Sequence, residues 1–301
     1  MLENLPRISI IIPSFNQGKY IEEAIQSVLQ QDYPELELVV IDGGSRDNSL
    51  QILQRYRTDL AYWVSEPDRG QSHAINKGFK HCTGEIITFL SSDDKYLPGT
   101  FSDLQSLWPQ IKHNGAVVGA FQFMDEASHI QEAVIAPQLK KPAPLDLTLG
   151  PPGVYRLHQV ATFYLREALD QVGRYVQEDL QYVMDRELLY RVCRSFPIYL
   201  RERTYGIFRK HQRSKSSQKI VSFHNEFAQL YLDSISGDSN KDRLRRRMAR
   251  YRKASGYLKY ANATGEPMRV VVALLKSAVL YPALLSRYSY LNAWRNLALR
   301  K

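Results

Sequence analysis

Two adjacent acids, Asp93 and Asp94, follow the apolar run 85–90 of a 301-residue chain. Neighbouring carboxylates repel, so such a pair is tolerated best where a cation or a pair of ribose hydroxyls satisfies it. Hard divalent ions such as Mg2+ and Mn2+ take carboxylate and phosphate oxygens together, which suits a diphosphate-linked substrate. Capping of the following turn accounts for the same two residues without any ligand. Three earlier apolar runs end in similar chemistry: Pro13-Ser14-Phe15-Asn16, then Asp42-Gly43-Gly44-Ser45-Arg46-Asp47, then Ser65-Glu66-Pro67-Asp68-Arg69-Gly70. Each is ordinary turn composition when taken alone. Four in succession predict a single polar rim.

The elements that must carry this rim are legible as an alternation. Short β-branched runs at 7–12, 36–41, 61–64, 85–90 and 115–120 predict strands, and the first, stopped by Pro13, suits a strand buried on both faces. Between them Ile21, Ala24, Ile25, Val28 and Leu29 recur on one helical face, and 72–80 and 98–107 predict further helices. Strands and helices taking turns predict an α/β fold with a mostly parallel, doubly wound sheet. Ligands bind such sheets at the carboxyl ends of the strands, where the polar loops lie. The Pro-rich stretch 136–153 reads as a long surface loop, and helical spacing returns at 161–172 and 180–192. A domain boundary is expected near residue 220, with a helical basic extension over 221–301.

Composition excludes several classes. Hydrophobic residues at 44% and charged residues at 24% are those of a chain able to bury a core. Two cysteines, Cys82 and Cys193, without CxxC spacing, give neither a disulfide framework nor a thiolate zinc site. The first loop lacks GxGxxG, and GxxxxGK[ST] is absent, which argues against dinucleotide and P-loop sites. A nucleotidyltransferase would open with a Gly-rich basic loop where Pro13-Ser-Phe-Asn16 stands. The first residues lack the basic-then-apolar layout of a signal peptide, so a cytoplasmic location is expected.

These residues resemble glycosyltransferase family 2, with its GT-A nucleotide-sugar-binding fold, over residues 7–215. The elements occur in order: Ile10-Ile-Ile-Pro-Ser-Phe-Asn16, Val40-Ile-Asp-Gly-Gly-Ser-Arg-Asp-Asn-Ser49, Ser65-Glu-Pro-Asp-Arg-Gly-Gln71 with Ala74-Ile-Asn-Lys-Gly78, and Ser92-Asp-Asp94. The resemblance implies an inverting, metal-dependent transferase of cell-surface polysaccharide assembly, with a UDP-sugar favoured as donor and a glycan or lipid-linked acceptor. It implies that Pro13, Ser14 and Asn16 contact the nucleotide and that Asp42 bonds the base. Asp68, Gly70, Gln71 and Asn76 would line base and diphosphate, although caps and turn geometry account equally for Gly70 and Asn76. Asp93 would reach the ribose and Asp94 would ligate Mn2+ or Mg2+; Ser92 stands where a literal DxD has its first acid. Asp185 matches the family's general base, with Glu178, Asp179 and Glu187 as competitors and an ion pair with Arg186 or Arg191 as the structural alternative. The stretch Phe208-Arg-Lys-His-Gln-Arg-Ser-Lys215 is similar to the family's Arg-x-His-x-x-Ser-Lys element. It implies His211 as a second metal ligand, with Arg209, Arg213 or Lys215 facing the departing diphosphate. Gln159 would orient donor or acceptor, or close a helix start.

The charge is unevenly spread. Residues 240–301 hold 15 Lys/Arg against two acids, a net +13, whereas the remainder holds 25 against 29, a net −4. A basic helix over 242–259 and an apolar piece over 270–285 predict peripheral contact with an anionic membrane surface, on the inner face of the plasma membrane, through residues 241–285. The apolar piece falls short of the ~20 residues of a bilayer span. Packing of these helices on the catalytic domain is the alternative. The acidic body and the missing aromatic-basic groove motif argue against a nucleic-acid partner.

Overall fold

The structure, a computed structural model, describes residues 5–134, 157–211, 214–215, 219–234, 237, 239–264, 266–285 and 290–294. The Pro-rich stretch 136–153 lies outside the described residues. The chain divides into two compact units, Met1–His211 and Gln212–Lys301.

In the first unit, β1 (Ile8–Ser14), β2 (Leu36–Asp42), β3 (Tyr62–Ser65) and β4 (Ile86–Phe89) form a parallel half-sheet in the order β3-β2-β1-β4. β1 shows why its sequence is an unbroken apolar run. Successive side chains on a strand point to opposite faces. Ile10 and Ile12 therefore enter one core with Ile21, Ala24, Ile25 and Val28 of α1 (Ile21–Leu29), while Ile11 enters the other with Ala74, Ile75 and Phe79 of α3 (Gln71–Phe79). All three isoleucines are fully buried, each contributing about 1.5–3 kcal/mol. α3 lies so close to β1 that a Cβ on Gly78 would meet Ile11 Cγ2 at 2.4 Å.

The second half of the sheet is mixed. β8 (Thr162–Leu165) runs antiparallel between β4 and β6 (Ala116–Met124), and β9 (Ile198–Arg209) runs parallel to β6. β5 (Lys95–Tyr96) closes that edge on β9, and β7 (Ile130–Val134) pairs with β6. The helices are α2 (Ser49–Arg55), α4 (Thr100–Ile111), α5 (Arg166–Val172) and α6 (Met184–Ser195). Together this is the GT-A type of α/β fold, with a mostly parallel doubly wound sheet.

The helix expected over 161–172 is corrected here. Thr162-Phe-Tyr-Leu165 forms β8, all four residues buried, and α5 begins only at Arg166. β-branched and aromatic side chains favour that strand once β4 and β6 offer free edges on both sides, a fact of tertiary pairing that local spacing cannot carry. α6 begins at Met184 rather than near 180, and α2, β5, β7 and β9 had no clear local signal. In β9 the alternation is broken by Arg201-Glu202-Arg203.

The second unit contains α7 (Ile220–Asp233), α8 (Ser239–Ala263) and α9 (Pro267–Leu280). Leu258 and Ala261 of α8 pack with Val270, Ala273 and Leu274 of α9 and with Tyr290 and Ala293. Among the described residues no helix is long and apolar enough to cross a membrane.

Candidate active site

Parallel register aligns the strand ends. Ser14 stands opposite Asp42, and Asp42 opposite Ser65, so three of the polar loops leave the sheet at one level. Pro13, still within β1 opposite Ile41, ends the apolar run one residue earlier. Asp42 is fully buried, and its carboxylate is spent on its own loop. Oδ2 accepts from Gly44 N at 3.1 Å, Ser45 N at 2.8 Å and Ser65 Oγ at 2.6 Å, while Oδ1 accepts from Ser45 Oγ at 2.5 Å. Asn16, at φ 53°, accepts from Arg46 N at 2.9 Å, and its own N–H donates to Ser45 Oγ at 2.7 Å. The first loop is thus tied to the second. Asp68 accepts from Gly70 N at 2.7 Å, and it lies so close to Gly43 that an added Cβ there would meet Asp68 Oδ2 at 2.7 Å. The third loop is thereby brought against the second. Gly70, at φ 112°, turns the chain into α3, and half-buried Gln71 opens that helix.

Asn76 is on α3 but reaches the segment that precedes α6. Its Oδ1 accepts from Val176 N at 2.8 Å and its Nδ2 donates to Val176 O at 2.9 Å, an amide clasped to a backbone amide. Ser72 Oγ donates to Leu180 O at 3.1 Å, and Arg69 pairs with Glu178 at 2.7 Å. These contacts dock 174–181 on the third strand-end loop and α3, immediately before Asp185. Asp185 sits in the first turn of α6 with about a fifth (21%) of its side chain exposed and Arg186 Nε at 3.8 Å. Burial raises its carboxyl above the ordinary value, against the opposing Arg186 charge and the helix-end N–H groups. Of its competitors, Glu187 is buried and paired with Arg191 at 2.7 Å, and Glu178 is held by Arg69.

The fourth loop is organised differently. Asp94 is 2% exposed; its Oδ1 accepts from Arg209 N at 2.9 Å, and Oδ2 accepts no hydrogen bond from any described residue. Burial, and then the Asp93 charge, push its carboxyl well above the usual range. Asp93, more exposed, meets His211 Nε2 through Oδ2 at 2.9 Å, while the buried His211 Nδ1 has no hydrogen-bond partner among the described residues. The imidazole thus contacts Asp93, while Asp94 is turned toward the β9 backbone. Among the described residues no three His, Cys, Asp or Glu side chains cluster to hold a metal by protein ligands alone.

Arg209 departs from its expected role as a diphosphate contact. It is 1% exposed, donating from Nε to Asp93 O at 2.8 Å and from Nη1 to Ser128 Oγ at 2.8 Å, with Nη2 on the Glu23 carboxylate. The Tyr20 ring lies 4.8 Å from the guanidinium and 5.2 Å from the His211 ring. Arg209 is thus the buried peg of the fourth loop, with almost no surface left for a phosphate. Arg213 lies outside the described residues. Gln159, also buried, is 3.5 Å from Thr88 Oγ1, and the neighbouring His158 is pushed down to about 3 by burial and then the Arg186 charge, so its ring stays neutral. Among the remaining candidates the buried Ser14 Oγ stands out, because among the described residues it has no hydrogen-bond partner.

A polar rim built at the carboxyl ends of a GT-A sheet meets a direct match in sequence. The profile described as Glycosyl transferase family 2 covers residues 9–173, more than half of the chain. The chain belongs to glycosyltransferase family 2. Among the relatives of this family 2 glycosyltransferase, an uncharacterised glycosyltransferase of Rickettsia typhi is 29% identical over 64% of this chain and 61% of its own length. The match to a Campylobacter jejuni GalNAc(5)-diNAcBac-PP-undecaprenol beta-1,3-glucosyltransferase is 34% identical over 33% of this chain and 34% of that protein. The chain thus spans less than two thirds of the length of the curated relatives it matches. Two solved structures share the fold: S. aureus TarS with UDP-GlcNAc (19% identity, TM-score 0.60, 97% of this chain and 90% of that one), and the Pyrobaculum calidifontis mannosyltransferase PcManGT with GDP-Man and Mn2+ (21%, 0.62, 97% and 84%).

Several residues of the glycosyltransferase site were not found by motif. These are Glu23, Tyr20 and Ser128, which hold Arg209, whereas Ser45 and Ser65, which hold Asp42, stand within the quoted motifs.

Proposed function

We propose that this glycosyltransferase moves a sugar from a nucleotide-diphosphate donor, a UDP-sugar being favoured, to a hydroxyl of a glycan or lipid-linked acceptor, with inversion at the anomeric carbon and in cell-surface polysaccharide assembly. The observation that carries the reading is the fourth loop. There, the Asp94 carboxylate accepts from the Arg209 backbone N–H, the Asp93 carboxylate meets the His211 imidazole, and among the described residues Asp94 Oδ2 and His211 Nδ1 have no hydrogen-bond partner. A carbohydrate acceptor on an undecaprenol carrier is named for the Campylobacter relative, and nucleotide-sugar complexes are named for the two solved neighbours. These names support the substrate classes assigned to this chain.

Pro13, Ser14, Asn16, Asp68, Gly70 and Gln71 form the nucleotide side of the site, with the Ser14 hydroxyl free to bond the donor. Asp42 and Asn76 act behind them, one holding the loops and the other holding 174–181. Asp185 takes the proton from the acceptor hydroxyl as its oxygen forms the new bond to the anomeric carbon; the bond to the leaving oxygen breaks, and that electron pair goes to the nucleotide diphosphate. A carboxylate whose pKa is raised by burial is a better base for this step than a solvated one. The residues fit a divalent ion of the Mn2+ or Mg2+ type, which takes one or two protein ligands and completes its sphere with phosphate oxygens. Asp94 and His211 would hold it, the imidazole exchanging its Asp93 contact for it, while Asp93 turns to the ribose. When bound, such an ion offsets the charge on the leaving diphosphate. Residues 1–220 serve as the catalytic domain, a nucleotide-binding half over about 1–120 and an acceptor half over about 121–220, and 221–301 are the basic extension.

The test is hydrolysis or transfer from a panel of nucleotide-sugars with Mn2+ or Mg2+. Turnover by the wild-type chain that chelator abolishes supports the reading. Full turnover in chelator sinks the metal role, and no turnover of any donor sinks the donor class.

A further inference from the structure

α9 is apolar on two opposite sides, and packing uses one of them. Val270, Ala273, Leu274 and Ser277 are buried, the apolar three of them in the core of the second unit. Met268, Val272, Leu275 and Val279 are instead 75%, 43%, 54% and 81% exposed. At 3.6 residues per turn the exposed four fall within about 60° of arc, opposite the buried four. Scattered exposed apolar side chains need no explanation, but a continuous stripe along a whole helix does.

Charge decides what covers it. Lys276 is exposed on α9 to one side of the stripe, with Arg269, which Glu266 pairs at 2.7 Å, about two turns before it, and Arg243, Arg246, Arg247 and Arg250 are exposed along one side of α8. Arg247 Nε donates to the Tyr281 hydroxyl at 3.0 Å, so the arginine row meets the chain just beyond the end of α9. A second copy of this chain would bring the same cations against themselves, at a repulsive cost. An anionic surface is complemented by them. With 14 residues α9 is roughly 21 Å long, short of the roughly 30 Å of a hydrocarbon core, so it lies along a bilayer and does not cross it.

We infer that the Met268–Val272–Leu275–Val279 stripe and its flanking cations form a docking surface for an anionic lipid bilayer, with α9 lying in the plane of the interface. The inference rests on the second unit alone and does not depend on the transfer chemistry.

The experiment is co-sedimentation of the full chain with vesicles of phosphatidylcholine, pure or with one quarter phosphatidylglycerol. The wild-type chain is expected to bind the anionic vesicles tenfold or more above the neutral ones, and to lose that binding at high salt. The triple variant Val272→Ser, Leu275→Gln, Val279→Ser should bind tenfold or more weakly with its melting temperature unchanged, since all three side chains are exposed. Arg246→Gln with Arg250→Gln should weaken anionic binding and leave the neutral background alone. The proposal falls if the wild-type chain ignores both vesicles, or if the triple variant binds as wild type. It also falls if light scattering shows a wild-type dimer that the triple variant dissociates, because the stripe would then belong to a second copy. Donor turnover measured without vesicles reports on the transferase reading separately.

Discussion

Two acid-bearing loops, at the ends of the strands on either side of β1, treat their acids in opposite ways. After β2 the Asp42 carboxylate accepts four hydrogen bonds from within the rim and is sealed from solvent. After β4 the buried Asp94 accepts one, from a backbone N–H, with a second acid beside it and an imidazole 2.9 Å from that acid. A carboxylate satisfied by its own loop stabilises the loop. A carboxylate buried with an unpaired oxygen beside a like charge costs stability, and such strain persists where something outside the chain relieves it. The proposed site uses that difference, with the first acid as scaffold and the second for chemistry.

The sharpest way to break that contrast is to remove each acid in turn. Asp94→Ala is expected to lower kcat/KM about a thousandfold, the scale of several kcal/mol for losing a metal-assisted step. Its melting temperature should be unchanged or higher, because a destabilising buried acid has gone. An Asp94→Ala chain that melts much earlier would place Asp94 in the scaffold with Asp42. Asp185 sharpens the contrast from the acceptor side: Asp185→Asn should cost about a hundredfold or more in kcat. The sign of its pH dependence follows from burial. A folded-state pKa above the unfolded value of ~3.9 favours the protonated acid, so the stability it adds is present below that value and fades as pH rises through the raised one. Activity under the proposed mechanism needs the ionised base and runs the other way. The acid limb of kcat/KM should sit above the ordinary carboxylate range, and Asp185→Asn should abolish that limb. Asp42→Ala is the smaller effect and of the other kind. It orphans Gly44 N, Ser45 N and two hydroxyls, costs about 3 kcal/mol and lowers the melting temperature by roughly 10 °C, with any loss of activity following the loop.

The same contrast marks what a sequence can carry. β1 to β4 and α1 were legible because each buries a face by itself, and the burial period is written in consecutive residues such as Ile10, Ile11 and Ile12. β8 was not, since Thr162 to Leu165 become a strand only between two edges from elsewhere in the chain. At the site, motif order located Asp42, Asp93, Asp94 and Asp185 as positions in the rim or in the helix it supports. It could not separate them by duty, because the hydrogen bonds that saturate Asp42 come from Ser45 and Ser65, and those that bury Arg209 come from Glu23 and Ser128. A basic residue two positions from a motif histidine reads as a phosphate contact until its partners are seen.

Asn76 gives the smallest and most discriminating case, since it can belong to either class. Contact with the donor would make its loss appear in the donor KM with the melting temperature untouched. The observed clasp on Val176 predicts the reverse. Asn76→Ala removes two backbone hydrogen bonds, costing about 1–2 kcal/mol and a few degrees of melting temperature. It also loosens 174–181, the segment leading to Asp185, so kcat should fall several-fold while the donor KM holds. Asn76→Asp separates the readings further. It keeps an acceptor for Val176 N but sets a carboxylate against Val176 O at the place of the 2.9 Å bond and beside Glu178. The variant should therefore be at least as unstable as Asn76→Ala at neutral pH and recover as acid neutralises the new carboxylate. A donor KM that rose in both variants at constant stability would instead return Asn76 to the nucleotide side of the rim.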